Sequence, residues 1–330
     1  MRFEGSPGIT EPLAGEKTPA LLSGPSAVNG AIPKRIMHKA PSADLPLLAR
    51  AAVANVRLLN PDFEYVFFDD AAVEQFIDAH YPQYRRTFDA FSLRIQRSDF
   101  FRYLAIYHYG GFYLDTDVLL GSTLSPLLKY GCVFPFERLT WSDFLRHQHR
   151  MDWEIGTYAF GATPRHPFLR AIIDNCVKAQ QDPRWAEAAM RSLPWVLRRE
   201  QFVIYTTGPG LVSRTLAEYA DVENPVHVLF PENVCDKSSW NTFGNYGVHL
   251  CASTWRRKHG RIRSRLIHYH SLLNERRAMR FASKLGKTRP AFSMPAVGHV
   301  REGVETYHPE SSVTAQPCTV LCAEGVSNFV

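Results

Sequence analysis

No run of apolar residues in this chain approaches the roughly 20 needed to cross a bilayer as a helix. The opening residues, MRFEGSPGITEPLAGEK, place no apolar core behind Arg2. Neither a membrane span nor a secretory signal is read, and a cytoplasmic location is expected. Cysteine is sparse too: six in 330 residues, scattered at positions 132, 176, 235, 251, 318 and 322. So few in a chain this long exclude a disulfide-built miniprotein and are expected to stay reduced. Cys318 and Cys322 stand close together, but no second pair or neighbouring His completes a zinc set. Disorder of the whole chain is excluded by 45% hydrophobic against 21% charged residues. The length suffices for one large α/β domain with its own core.

Acidic residues are almost missing from one stretch. Residues 256–289 hold twelve Lys or Arg and one acid, Glu275, a local charge of +11; the whole chain carries +6, so the rest sums to 6 − 11 = −5. A nucleic-acid-binding protein would interleave basic and aromatic residues across its fold, so no nucleic-acid partner is expected. The stretch reads either as a solvated helix face or as a patch that sits on anionic lipid headgroups.

The ends, 1–30 and 288–330, lack periodicity and read as loose tails. Between them, Arg35 to His38 reads as a strand, Leu45 to Leu59 as a helix stopped by Asn60-Pro61, and Tyr65 to Phe68 as a second strand. That is a βαβ unit and the start of a parallel sheet. Asp69-Asp70 supplies a cap for a helix from Ala71 to His80. Later strands are expected at 132–136, 157–161, 226–230 and near Val248, with helices at 168–180 and 185–199. The polar stretch Trp141 to Trp153, with His147 and His149, reads as a loop.

The most informative segment is RIQRSDFFRYLAIYHYGGFYLDTDVLL, residues 94–120. Phe101, Leu104, Ala105 and His108 share a helix face, and Gly110-Gly111 permit a left-handed stop. Phe112-Tyr113-Leu114 follows as a buried strand running into Asp115-Thr116-Asp117. In an extended chain residues i and i+2 point the same way, so both carboxylates would reach into one space. Two adjacent carboxylates repel unless a cation lies between them, and oxygen ligands suit Mn²⁺ or Mg²⁺ with phosphate oxygens on the open positions. The helix before the strand also carries Asp99 and Arg102, three apart, which form either an intrahelical ion pair or a pair turned into the site.

The spacing R-S-D-x-x-R-Y, then G-G-x-Y-x-D-x-D, from Arg97 to Asp117 resembles the DXD-containing glycosyltransferases. The group includes fungal initiating α-1,6-mannosyltransferases and animal α-1,4-galactosyltransferases, with the large clostridial glucosylating toxins more distant. Further points of resemblance are Ile32-Pro33-Lys34, Asn60-Pro61, Asp69-Asp70, Gly161, His166-Pro167, Thr207-Gly208-Pro209, His249, Ser253 and Trp255. Two departures stand out: no Trp follows the opening strand, and the segment before Gly161, Glu154 to Ala159, lacks the Asn that relatives often carry.

The resemblance implies an α/β fold of GT-A type over residues 31–256, with a mostly parallel central sheet flanked by helices. A basic helical segment, 257–287, would pack on the domain or a membrane surface. The implied activity is metal-dependent, retaining transfer of a hexose from a UDP- or GDP-sugar to a glycan or lipid-linked acceptor, placed in bacterial cell-envelope polysaccharide synthesis at the inner face of the cytoplasmic membrane. By position, Asp115, Asp117 and His249 would hold Mn²⁺ or Mg²⁺. Asp99, Arg102, Tyr103, Gly111, Asp115, Ser253 and Trp255 would bind the donor, with Asp99, Arg102, Asp115 and Asp117 at the reacting centre. Three other readings stand beside this one: a protein-modifying effector, an inactive sugar-nucleotide-binding scaffold, and a phosphotransferase with its nucleophile at the first Asp of D-x-D. The apolar Val118-Leu119-Leu120 after the motif disfavours the last.

Overall fold

A computed structural model describes residues 30–140, 142–191, 198–231, 239–251, 276, 280 and 304–307. In chain order the elements are β1 (Arg35–Lys39), α1 (Leu47–Leu59), β2 (Glu64–Phe68), α2 (Asp70–His80), α3 (Arg85–Ala90), α4 (Arg94–Tyr109), β3 (Gly111–Leu114) and β4 (Val118–Leu120). There follow β5 (Cys132–Leu139), α5 (Asp143–Gln148), β6 (Trp153–Ile155), β7 (Ala159–Ala162), α6 (Pro167–Gln181) and α7 (Pro183–Glu187). The last are α8 (Arg198–Thr206), α9 (Pro209–Glu218), β8 (Val226–Leu229), β9 (Gly247–His249) and β10 (Val304–Tyr307).

The main sheet runs β10-β8-β5-β7-β3-β1-β2, with β6 beside β5. The parallel pairs are β1 with β2, β1 with β3, and β5 with β8. β7 is antiparallel to both β3 and β5, so β1, β2, β3, β5 and β8 all point one way. The sheet is mostly parallel in strand direction, as expected. Side chains alternate across it: Met37 and Tyr113 join a core with α4 and α6, whereas Ile36, Phe112 and Leu114 join a second core with Val56 of α1 and Val118 of β4. A separate two-stranded ribbon, β4 with β9, lies against α1.

Helix α4 is buried on more than one face, and its buried residues include the polar Gln96, Asp99 and Arg102. Each of these has a partner: Gln96 accepts from the Leu93 N–H at 3.3 Å and donates to Thr206 Oγ1 at 2.8 Å. At its far end Gly110 takes φ +64° and Gly111 φ +104°. The buried Arg35 guanidinium there donates to Tyr109 O at 2.8 Å, taking up a carbonyl of the helix's last turn.

Several local expectations change. Asp69 alone caps α2, accepting from the Ala72 N–H at 2.8 Å; Asp70 instead pairs with Lys39 at 2.8 Å and with Arg94. The helix expected over 185–199 is interrupted: α7 ends at Glu187, Ala188–Met190 tighten into a 3₁₀ turn, and α8 begins only at Arg198. The expected loop 141–153 contains α5, capped by Ser142, whose hydroxyl accepts from the Leu145 N–H. Within the 288–330 stretch, Val304–Tyr307 forms an edge strand on β8. Of the basic segment only Arg276 and Arg280 are described, both exposed.

A Cβ at Gly111 would stand 2.6 Å from Arg35 O and 2.9 Å from Arg35 Cβ, with the backbone already left-handed. Gly111→Ala is expected to destabilise the fold by about 1–3 kcal/mol or more, read as a lower urea midpoint with an unchanged slope.

Candidate functional site

Strand β3 ends at the carboxyl edge of the parallel strands, where sheets of this kind expose a crevice. Asp115-Thr116-Asp117 does not continue the strand. The Val118 N–H donates to Asp115 O at 3.1 Å, which closes a tight turn between β3 and β4. The bend is imposed from both sides: the Asp115 N–H donates to Tyr158 O at 2.7 Å, and Asp117 O accepts from the Leu250 N–H at 2.9 Å. The chain therefore passes from the main sheet into the β4–β9 ribbon within these three residues. The carboxylates converge through this turn and not through strand alternation.

Register in the ribbon pairs Val118 with His249. That brings a third side chain to the turn, and one ligand atom each from Asp115, Asp117 and His249 lie within 4.8 Å of one another. His249 Nε2 is 3.3 Å from Asp117 Oδ1 and its ring stacks on Tyr158, with centroids 4.4 Å apart. The Tyr158 hydroxyl donates to Thr242 O at 2.8 Å, so the stacking surface is itself tethered. Burial lowers the imidazole pKa, but the hydrogen bond to Asp117, the contact with Cys251 and the two carboxylates together outweigh it and hold the pKa up to about 10. Two carboxylates and one imidazole, all partly open, fit a hard divalent cation. The proton on His249 does the same electrostatic work when no cation is bound.

Beneath the turn lies the Asp99–Arg102 pair. Arg102 Nη2 is 3.0 Å from Asp99 Oδ1, and Nη1 is 3.3 Å from Asp115 Oδ1. The Arg102 Nη1–H also donates to Thr157 O at 2.8 Å, while the guanidinium sits 4.7 Å over the Tyr113 ring. Tyr113, two residues before Asp115 on the same side of the chain, donates to Asp115 Oδ1 at 3.1 Å. The Thr207 hydroxyl donates to Asp99 Oδ2 at 2.9 Å. Burial raises the Asp99 pKa to about 6 against the opposing pull of Arg102 and Thr207. The buried Arg102 Nε–H meets no acceptor among the described residues.

Asp99, Arg102, Asp115, Asp117 and His249 are thus brought together. Gly111 is not: it opens β3 at the opposite edge of the sheet, where it packs on the backbone of Arg35. Tyr103 is fully buried and donates to Thr207 O at 2.7 Å, a support for Thr207 and not a surface for a ligand. Ser253 and Trp255 lie outside the described residues. Sequence reasoning assigned no role to Tyr113, Thr157, Tyr158 or Thr207. Tyr113 was open to detection through its two-residue spacing from Asp115; the other three come from distant segments.

The site is thus a carboxylate turn able to take a cation, at the carboxyl edge of a mostly parallel sheet, with a buried Asp–Arg pair under it. Residues 47–134 match the family described as the glycosyltransferase sugar-binding region containing the DXD motif. Inositol phosphoceramide mannosyltransferase 3 of Schizosaccharomyces pombe is 30% identical over 210 residues, 62% of this chain and 51% of that protein. Mannosyl phosphorylinositol ceramide synthase SUR1 of Saccharomyces cerevisiae is 32% identical over 142 residues, 43% of this chain and 34% of that protein. The chain thus spans about half the length, or less, of these curated relatives. Among solved structures, PaToxG glycosyltransferase aligns over 57% of this chain and 70% of its own at 16% identity, with a TM-score of 0.41.

Two predictions follow from the geometry. Arg102→Ala leaves Asp99 and Asp115 without their shared cation and is expected to cost about 3–5 kcal/mol in urea unfolding, with Arg102→Lys failing to restore the three-way geometry. The raised Asp99 pKa means that the folded chain binds this proton more tightly than the unfolded chain does. Its contribution to stability is therefore present at low pH and falls as pH rises from 3.8 to about 6. Unfolding curves across that window are expected to lose this slope in Asp99→Asn.

Proposed function

We propose that this protein is a metal-dependent hexosyltransferase that moves a sugar, most simply mannose, from a UDP- or GDP-sugar to a lipid-linked acceptor, with retention of anomeric configuration. The observation that carries the reading is the convergence of Asp115, Asp117 and His249 beside the Asp99–Arg102 pair. The similarity to inositol phosphoceramide mannosyltransferases supports the sugar and the lipid nature of the acceptor.

Asp115, Asp117 and His249 would hold Mn²⁺ or Mg²⁺, the imidazole favouring Mn²⁺ over the more oxygen-selective Mg²⁺. The cation would neutralise the charge that develops on the departing nucleoside diphosphate. Arg102 holds Asp115 in place through Nη1. Asp99 keeps the guanidinium fixed and ionised from below. No described carboxylate beside the donor is free of a partner to act as general base, so the reading assigns the acceptor's proton to the departing phosphate. Under the same proposal the enzyme works at the inner face of a bacterial cytoplasmic membrane in cell-envelope glycan synthesis, with the basic stretch 256–289 drawn to anionic headgroups.

Thermal unfolding with UDP, GDP and their sugars, each with Mn²⁺ or with chelator, tests the site. A ligand at about 100 times its dissociation constant adds about 2.7 kcal/mol, which for a chain of this size shifts the midpoint by several degrees. The expected result is a metal-dependent shift with one nucleotide that Asp117→Ala abolishes. A folded protein that shifts with no nucleotide overturns the proposal.

A further inference from the structure

Helix α1 places Ala52, Val53 and Val56 in the core, yet its outer face is apolar as well. Leu47, Ala51, Ala54 and Leu58 fall at i, i+4, i+7 and i+11, a single line along a helix, and all four are exposed. Leu47 keeps 76% of its surface, Leu58 79% and the neighbouring Leu48 52%. An ordinary surface helix would put polar residues there.

The apolar face extends beyond the helix. Asn55 fastens α1 to β4, with its amide donating to Leu120 O at 3.1 Å and accepting from the Leu120 N–H at 2.8 Å. The ribbon of β4 and β9 adds Leu119 and Val248, and Leu250 follows just past its end; each is 38% exposed. The strip begins near the site: α1 follows the carboxyl end of β1, the edge of the sheet where β3 delivers Asp115 and Asp117.

Charge within α1 has one sign. The helix holds Arg50 and Arg57 and no acid, Asp44 and Asp62 lie just beyond its ends with Asp62 held by Lys34, and the chain that leaves β9 at His249 enters the +11 stretch of 256–289 within seven residues. An apolar strip that carries the exposed cation Arg50 and leads in sequence to a strongly basic stretch matches an anionic lipid surface, into which leucines insert while basic groups meet headgroups. A second copy of the chain is a poorer match, since it would bring two such basic stretches together.

We propose that the outer face of α1, with Leu119, Val248 and Leu250, docks the protein on an anionic bilayer and holds the Asp115–Asp117 crevice at headgroup height. This rests on the lipid-acceptor reading above for its purpose but not for its test. The full chain is co-sedimented with phosphatidylcholine vesicles, with and without phosphatidylserine, as wild type and as the double variant Leu47→Gln with Leu58→Gln. Both positions are exposed, so the variant is expected to melt as the wild type does and to keep any Mn²⁺–nucleotide shift. Wild type is expected to bind the phosphatidylserine vesicles, and the variant about tenfold or more weakly than that, since each buried leucine is worth at least one tenfold step. Equal binding by both proteins overturns the proposal. So does a wild-type dimer in solution that the two substitutions dissociate, which would assign the strip to a second copy. Loss of the nucleotide shift with vesicle binding intact would instead strike the transferase reading alone.

Discussion

The guanidinium of Arg102 is the constraint around which the site is organised. It is buried between two carboxylates, Asp99 and Asp115, with a carbonyl, Thr157 O, on one side and the Tyr113 ring against its face. A buried cation of this kind is tolerable only when its charge is matched and its hydrogens are largely satisfied, and each partner comes from a different place in the chain. Asp99 comes from the same helix, Asp115 from the end of β3, and Thr157 from the segment entering β7. Helix α4, strand β3 and the segment entering β7 therefore share one set of interactions, and displacement of any one of them exposes or unpairs a charge. Thr207 and Tyr103 extend the network to the start of α9.

The second organising feature is the turn that carries Asp115 and Asp117. It joins two sheets, the eight-stranded main one and the β4–β9 ribbon, and the ribbon does two things at once. Its register delivers His249 to the carboxylates, and its outer side chains lie beside α1. The cation site and the proposed lipid-facing strip are thus two faces of one small element. Under the proposed function that arrangement would give a lipid-borne acceptor a short path from bilayer to site, and no helix among the described residues is long and apolar enough to cross a membrane.

Much of this was legible in the sequence, for physical reasons that differ from element to element. The βαβ start was readable because apolar periodicity switches from two to helical spacing and back between Arg35 and Phe68. Helix α4 and its stop were readable because two consecutive glycines follow a periodic run. Asp115, Asp117, Asp99, Arg102 and His249 were placed through the resemblance of a long spaced pattern, and the structure gathers all five. Where local signals competed, the elements differ from the expectation: Ala188–Met190 tighten into a 3₁₀ turn inside the stretch that periodicity runs from 185 to 199, and Ser142 caps a helix in a stretch whose composition looks like loop. The resemblance places Gly111 at the donor, but what lies against it is the backbone of Arg35.

The sequence by itself determined the class of fold and the chemical identity of the site, because hydrophobic period, breaker residues and carboxylate spacing are local properties written along the chain. The tertiary structure decided how those groups meet. It bent D-x-D into a turn through hydrogen bonds from Tyr158 and Leu250, set His249 opposite Val118, shared one arginine between two carboxylates and left a leucine line of α1 uncovered. Each of these depends on which distant segments are brought side by side, and long-range pairing of that kind leaves no local signal in the residues that take part.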